Sequence, residues 1–284
     1  MNQIKIFLSL TRLNKPIGIM LLFWPCSWGL SFAAKNTQEF NHFFYYLILF
    51  FLGSVLMRSA GCIFNDIVDK DYDSQVTRTK TRPISSGHIS IKRSLFYVII
   101  ICSLAFIVLI QFNLLTIFLG MGSMFLAFAY PYMKRFTYWP QLFLGITFNW
   151  GIIMSWAAVQ NGISQEIIAL YISAIFWTLG YDTIYGAQDM YDDEIIGLKS
   201  TAIRFKDNIK TFVFSCYFVS LVILIIIFIE NFKLNLFTLF FFLFLISLAT
   251  QIVIFDKTKP MSCMKAFKIN NLTGFLLFLG INFL

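Results

Sequence analysis

Nine of the fourteen acidic residues of this chain fall in two short segments. One holds Asp66, Asp69, Asp71 and Asp73; the other holds Asp182, Asp189, Asp192, Asp193 and Glu194. Their spacing is helical. On a helix turning 100° per residue, Arg58, Asn65 and Asp69 fall within about 40° of one another, with Asp73 about 40° further round. Asp182, Tyr185, Asp189 and Asp193 share an arc of about 80°. The plain alternative is two solvated loops whose acids are balanced by nearby bases. Against it, the i, i+4 spacing occurs twice, and like charges massed at the ends of apolar helices repel and are costly to desolvate. Cations follow each cluster: Lys80 and Arg82 the first, Lys199 the second. Carboxylates and cations on one polar rim suit a Mg²⁺–polyphosphate. Mg²⁺ takes one or two carboxylates, keeps waters and completes its shell from phosphate oxygens, while Lys and Arg neutralise the charge that remains. Calcium fits less well, because no EF-hand loop spacing is present.

The elements that must position these residues are membrane helices. Of the 284 residues, 58% are hydrophobic and 13% charged, and the mean hydropathy is +0.76. A soluble domain carries about twice that charged fraction. Nine apolar spans are expected, at 17–34, 43–63, 95–112, 114–130, 139–158, 165–186, 211–230, 234–254 and 268–284, each near the ~20 residues that cross ~30 Å of hydrocarbon. The last is short and expected to be tilted or partial. The predicted fold is therefore all-α: a polytopic bundle of about nine transmembrane helices, forming one domain over residues 1–284. No cleavable signal peptide is read in the first apolar run.

Net charge is +8, but its placement points to topology and away from nucleic acid. With the N-terminus inside, nineteen of the twenty-two Lys and Arg fall in inside segments; only Lys35 and Lys233 fall outside, and Arg58 lies within a span. This is the positive-inside pattern. It predicts a multi-pass protein of the cell inner membrane with its N-terminus and both Asp-rich loops cytoplasmic. Asp69 and Asp189 are four spans apart, which returns the chain to the same side in the same direction. A parallel internal repeat with facing acidic clusters follows.

A diphosphate bound at a membrane surface suggests a lipid diphosphate. If the lipid is allylic, loss of pyrophosphate leaves a delocalised carbocation. The metal and cations stabilise the departing charge, and aromatic faces stabilise the cation. The 35 Phe, 12 Tyr and 6 Trp are weak support, since most face lipid or pack.

Asn65-Asp66-Ile-Val-Asp69-Lys-Asp-Tyr-Asp73 resembles the NDxxDxxxD signature of the intramembrane aromatic prenyltransferases. Tyr185-Gly-Ala-Gln-Asp189-Met-Tyr-Asp-Asp193 resembles their second motif, YxxxDxxxD. The likeness extends to Arg78-Thr-Lys80-Thr-Arg82-Pro83 and to Gly197-Leu-Lys199-Ser200. Arg12-Leu-Asn-Lys15-Pro16, Trp24-Pro25 and Tyr130-Pro131-Tyr-Met-Lys134-Arg135 narrow it to the 4-hydroxybenzoate polyprenyltransferase branch, which serves ubiquinone biosynthesis. It covers nearly the whole chain. The resemblance implies a nine-helix bundle with its active site under cytoplasmic loops, Mg²⁺ as cofactor, and polyprenyl diphosphate and 4-hydroxybenzoate as substrates. It implies Asn65, Asp66, Asp69, Asp73, Asp189 and Asp193 as Mg²⁺–diphosphate ligands, with either Asn65 or Asp66 standing behind the other. Tyr185, Lys80, Arg82 and Lys199 would assist diphosphate departure, and Asp182 and Arg135 would serve the acceptor. The isoprenoid tail would lie between helices and extend towards lipid. No obligatory protein partner is implied.

Other readings compete with this one. A cation-coupled transporter with two Asp-bearing repeats needs ionisable residues near mid-membrane, and the outer halves of the spans hold almost none. Prenyl transfer to a naphthoate, to homogentisate or to haem stays within the superfamily. CDP-alcohol phosphatidyltransferases expect a DGxxAR-type motif, which is absent. The five Cys, ten Met, His42 and His88 read as packing or interface residues. For Arg58, a salt bridge to Asp69 and substrate binding stand level.

Overall fold

The computed structural model describes residues 3–37 and 42–284, and every regular element among them is helical. The order is α1 Gln3–Thr11, α2 Ile17–Thr37, α3 Phe43–Val68, α4 Lys70–Asp73, α5 Ile91–Leu109, α6 Leu114–Ala129, α7 Met133–Phe136, α8 Pro140–Gln160, α9 Gln165–Gly186, α10 Met190–Ile195, α11 Thr201–Arg204, α12 Ile209–Ile227, α13 Leu236–Ile254 and α14 Pro260–Asn282. The loop expected outside near Lys35 falls partly on residues 38–41, and the N-terminus on residues 1–2, both outside the described residues.

Among the described residues, eight helices are long and apolar enough to cross a membrane. The ninth long helix, α14, corrects the expectation of a short last span at 268–284. It is 23 residues long and begins at Pro260, whose fixed φ and missing N–H suit a first helical position. Its opening turns expose Met261, Lys265 and Lys268, so hydropathy alone starts the helix too late. The second span, expected to end at 63, runs to Val68 and carries Asn65 and Asp66 on its last turns. The third starts at Ile91, where the Ser90 side chain accepts from the Arg93 N–H at 3.3 Å and caps the helix.

The long helices pack as α2 on α8, α9 on α12, α13 on α14 and α3 on α5, with α14 also lying along α2. Gly29 lets α2 approach α8 closely: a Cβ there would stand 3.0 Å from the Cα of Ile152. Trp28, Trp177 and Tyr181 fill the centre, with ring centroids 4.9 Å apart for each successive pair. Polar bonds tie α9, α12, α13 and α14 together. Trp177 Nε1 donates to Asn270 Oδ1 (2.9 Å), Asn270 Nδ2 to Gln251 Oε1 (2.9 Å), and the Tyr217 hydroxyl to the same oxygen (2.6 Å). In a medium without water these buried groups must satisfy one another. The short helix α1 lays Ile6 and Leu10 against a cluster that includes Ala60, Ile63, Ile84 and Ile89.

Between α2, α3, α5, α6, α8, α9 and α14 lies a cavity of about 1720 Å³. The acidic motifs stand at one end of it. Phe50 and Phe112, with ring centroids 4.7 Å apart, stand at the other.

Candidate active site

Helices α3 and α9 both stop at the acidic motifs. Asp69, the C-cap of α3, has φ −94° and ψ 6°, and Asp189 takes φ −107° and ψ 3° before α10. The expected continuous helical faces are therefore broken at these two residues. The spacing survives because the backbone bonds continue: the Asp73 N–H donates to the Asp69 carbonyl and the Asp193 N–H to the Asp189 carbonyl, each at 2.8 Å. Two loops fold over the rim and meet where the Thr77 N–H donates to Asp192 Oδ2 at 3.1 Å.

The first cluster is enclosed by cations. Arg12 Nη2 donates to both oxygens of Asp66, at 2.9 and 2.8 Å. Arg82 Nη1 reaches Asp66 Oδ1 at 3.1 Å and Asp73 Oδ2 at 2.6 Å. Lys134 Nζ donates to Asp69 Oδ2 at 2.6 Å, and Asn65 Nδ2 to the same oxygen at 3.0 Å. Asp66 and Asp69 are each only 1% exposed. Burial raises the Asp69 carboxyl above the usual range, and the Lys134 ammonium opposes that shift.

The second cluster is more open. Asp189 accepts from Arg78 Nε at 2.8 Å, and Arg78 Nη1 donates to the Tyr185 hydroxyl at 3.2 Å. Burial works against the Arg78 charge, but these partners outweigh it and hold its pKa above the ordinary value. Asp193 has no ion pair or side-chain hydrogen bond among the described residues. Burial and the neighbouring Asp189 charge push its carboxyl up to about 6. Deeper in the cavity, Arg58 lies over the Phe148 ring at 5.3 Å, its Nε buried without a hydrogen-bond partner. Asp182 lines the same cavity. Gly18 makes room for that guanidinium: a Cβ there would stand 2.6 Å from Arg58 Nε.

Asn65, Asp66, Asp69, Asp73, Arg82, Asp182, Tyr185, Asp189 and Asp193 thus line one cavity, as the spacing predicts. Three expected residues do not. Lys80 is exposed and off the cavity. Hydrogen bonds from the Lys80 N–H to Val76 and the Arg82 N–H to Thr79 coil this stretch into turns, which put Arg78 and Arg82 on the inner side and Lys80 between them outside. Lys199 turns away and donates to the Phe136 carbonyl at 3.3 Å, while its own N–H holds the Lys134 carbonyl at 2.9 Å. Arg135 stands behind Asp69: its Nη2 donates to the Val68 carbonyl at 2.6 Å and is 3.9 Å from Asp69 Oδ1. Its guanidinium lies between the rings of Tyr72 and Tyr132, so it braces the end of α3 and does not line the cavity. The Arg58–Asp69 salt bridge is absent among the described residues. Sequence reasoning gave no role to Arg12, Arg78 or Lys134. The i, i+4 pairing of Arg78 with Arg82 is the one signal that could have found Arg78.

Among the described residues no three acidic, His or Cys side chains converge tightly enough to cage a metal ion. The donor set still fits Mg²⁺, which needs only one or two carboxylates beside phosphate and water. Asp69 Oδ1 is buried without a hydrogen bond, and the Asn65, Asp73, Asp189 and Asp193 side chains line the same end of the cavity.

Residues 22–272 match the model of the UbiA prenyltransferase family. The chain belongs to that family. It is similar to the mitochondrial 4-hydroxybenzoate polyprenyltransferase of Bos taurus, 42% identical over 97% of this chain and 74% of that protein. It is also similar to the 4-hydroxybenzoate octaprenyltransferase of Francisella tularensis, 38% identical over 98% of this chain and 96% of that protein. Solved structures share the fold. A UbiA homolog from Aeropyrum pernix K1 gives a TM-score of 0.77 at 20% identity, over 92% of this chain and 96% of that one. A homolog from Archaeoglobus fulgidus, bound to GPP and Mg²⁺, gives 0.71 at 16% identity, over 97% and 99%.

Proposed function

We propose that this protein transfers a polyprenyl group from polyprenyl diphosphate to the ring carbon ortho to the hydroxyl of 4-hydroxybenzoate, releasing diphosphate, as a step of ubiquinone biosynthesis. One observation carries the reading. Two acidic motifs, at the ends of α3 and α9, line one end of a cavity whose other walls are largely apolar and include Arg58 and Asp182. The relatives named above support the choice of substrates.

Asp69, Asp73, Asp189 and Asp193, with Asn65, are the residues that would hold Mg²⁺. Bound there, the metal supplies Lewis-acid stabilisation of charge on the diphosphate oxygens. Asp66 is a weaker ligand candidate, since Arg12 engages both its oxygens. Arg78, Arg82 and Tyr185 direct donors at the leaving group. The allylic C–O bond breaks and its electron pair leaves with the diphosphate. The allylic carbon then bonds the ring carbon, and the ring proton departs to a base. Asp182 is the carboxylate placed to orient the phenol or accept that proton. The acceptor's own carboxylate needs a fixed cation, and Arg58 replaces Arg135 in that role because it lies inside the cavity. A guanidinium binds carboxylate through two parallel bonds.

The same proposal sets the protein as a multi-pass inner-membrane enzyme with the acidic end cytoplasmic. Labelling of introduced cysteines from outside should reach 160–163 and spare 74–90. The test of function is a membrane assay with one allylic diphosphate and a panel of aromatic acids, the product identified by mass. Prenylated 4-hydroxybenzoate is expected; preference for a naphthoate or homogentisate would reassign the acceptor.

A further inference from the structure

The acidic end of the cavity is bonded shut on one side and not on another. Between the two loops, the Thr77 N–H donates to Asp192 Oδ2 and Arg78 holds Asp189. Between the α1–α2 turn and the first turns of α14, no hydrogen bond or ion pair crosses among the described residues until Trp24 Nε1 meets Asn271 Oδ1 at 2.9 Å. The residues on the two sides, Asn14 and Lys15 facing Lys268 and Asn271, line the cavity and are also exposed. Side chains that belong both to the cavity wall and to the outer surface mark a mouth, and this one is polar and cationic. Arg12, at φ 58°, turns the chain there, and the Lys15 N–H closes the turn on the Arg12 carbonyl at 2.8 Å. Across the mouth, Phe267 packs on the Tyr185 ring at 4.6 Å, which brings α14 against the second acidic motif.

These two lysines differ from the other cations of this end. Arg12, Arg78, Arg82 and Lys134 each make an ion pair with an acid. Lys15 and Lys268 make none among the described residues. Burial, together with the positive charges of Arg12, Arg78, Arg82 and Lys268, holds the Lys15 ammonium below its usual pKa. Like charges kept together without a counter-ion are costly, and an arriving anion relieves that cost. Topology alone does not account for their position. Lys265, one turn before Lys268, meets the positive-inside pattern from a place off the cavity.

The anions of the reaction come from different phases. A polyprenyl diphosphate carries a long apolar tail and arrives from lipid. The acceptor acid dissolves in water and must cross the acidic end as a carboxylate. Its seat at Arg58 is seven residues of α3 beyond Asn65, about 10 Å deeper at ~1.5 Å per residue. A carboxylate passing the acidic motifs is repelled unless cations flank its way. We propose that Lys15 and Lys268 form an entry port for the aromatic carboxylate, drawing it by charge from water into the cavity. The inference rests on the prenyl-transfer reading and deepens it.

The test is the use of the acceptor in an uncharged detergent. At low ionic strength, Lys15→Glu with Lys268→Glu should lower kcat/KM for 4-hydroxybenzoate by roughly tenfold or more, the low end of what a cleft of one sign contributes to capturing the opposite charge. The loss should shrink as salt is added. Lys15→Arg with Lys268→Arg should keep the original value, and kcat/KM for the prenyl diphosphate should move far less. Lys265→Glu should change neither. No loss, a loss that salt does not touch, or an equal loss for the donor overturns the port. If the reversed variant does not fold, acetylation of lysines in the unaltered protein decides. 4-Hydroxybenzoate should protect Lys15 and Lys268 and leave Lys265 reactive. Protection of none, or of all three alike, overturns the port; so does protection by inorganic pyrophosphate and not by the acid, which assigns the lysines to the leaving group. An unaltered protein that does not prenylate 4-hydroxybenzoate sinks the prenyl-transfer reading itself, whereas the protection pattern reads the port separately.

Discussion

The two acidic clusters share a spacing but not an environment. Around Asp66, Asp69 and Asp73 stand Arg12, Arg82 and Lys134, with Arg135 behind. Around Asp182, Asp189 and Asp193, Arg78 alone among the described residues makes an ion pair, on Asp189. Buried charge is tolerable when paired, and removing one partner strands the other. The first cluster therefore brings its own counter-charges, which fix α1, the 74–90 loop and the α7 turn around it. The second leaves the Asp182 and Asp193 carboxyls without an ion pair among the described residues and on the wall of the cavity. Similar motifs can thus divide the labour of holding a fold together and receiving a substrate.

The sharpest way to break this division is to remove one acid from each side. Asp189→Ala and Asp69→Ala should each lower kcat by about 10²–10³-fold while the protein still inserts, since each removes charge aimed at the departing diphosphate. Chelation of Mg²⁺ should do the same. A mutant that keeps most of its turnover at saturating Mg²⁺ would separate that cluster from the chemistry.

Next in size, Arg58→Ala should raise KM for 4-hydroxybenzoate at least tenfold, the loss of a charge-assisted bond worth ~1.5–3 kcal/mol. KM for the prenyl donor should move far less. Arg135→Ala should instead lower thermal stability with little change in acceptor KM. The reverse pattern would return the acceptor clamp to Arg135.

Arg12→Ala should lower stability without changing acceptor KM. Breaking a buried ion pair costs ~3–5 kcal/mol when the remaining charge is left alone; Arg82 still reaches Asp66, so about half that loss is expected. Thermal inactivation in detergent measures it, and an unchanged midpoint would deny the first cluster its structural share.

The smallest effect is a pH dependence. A carboxyl raised to about 6 by burial and by Asp189 is protonated below that pH, and a protonated acid does not bind metal. The Mg²⁺ concentration for half-maximal rate should be flat above neutrality and rise as pH falls through 6. Asp193→Asn should need more Mg²⁺ throughout and lose that slope.

Much of this was legible in the sequence. Hydropathy gives the long helices, and i, i+4 spacing gives the acids that share the cavity. What it hides are choices made by local backbone. Helix α3 ends at Val68, before Asp69, and α9 at Gly186, before Asp189, whereas periodicity carries straight through. Lys80 and Arg78 are two residues apart in one basic run, and only the coil of the loop decides which faces inward. Arg135 sits in an obvious cationic loop and Arg58 inside an apolar span. A count of charges favours the first as the clamp, whereas burial favours the second. Hydropathy starts α14 late because its first turns are polar, and their helicity depends on Pro260 and on packing against α13.

Trp24 and Trp28 donate to Asn271 and Gly274, and Asn282 donates to Ser31; these bonds join α2 to α14 across some 250 residues of chain. Contacts so distant in sequence form late, because the entropy of closing so long a loop must be met first. During synthesis α2 is made long before α14, so the indole N–H groups of Trp24 and Trp28 lack the partners that they have in the folded protein. The ring of helices cannot close until the final segment leaves the ribosome. A chain cut short before α14 would keep both acidic motifs and still lack a wall, making the last helix the checkpoint for assembly.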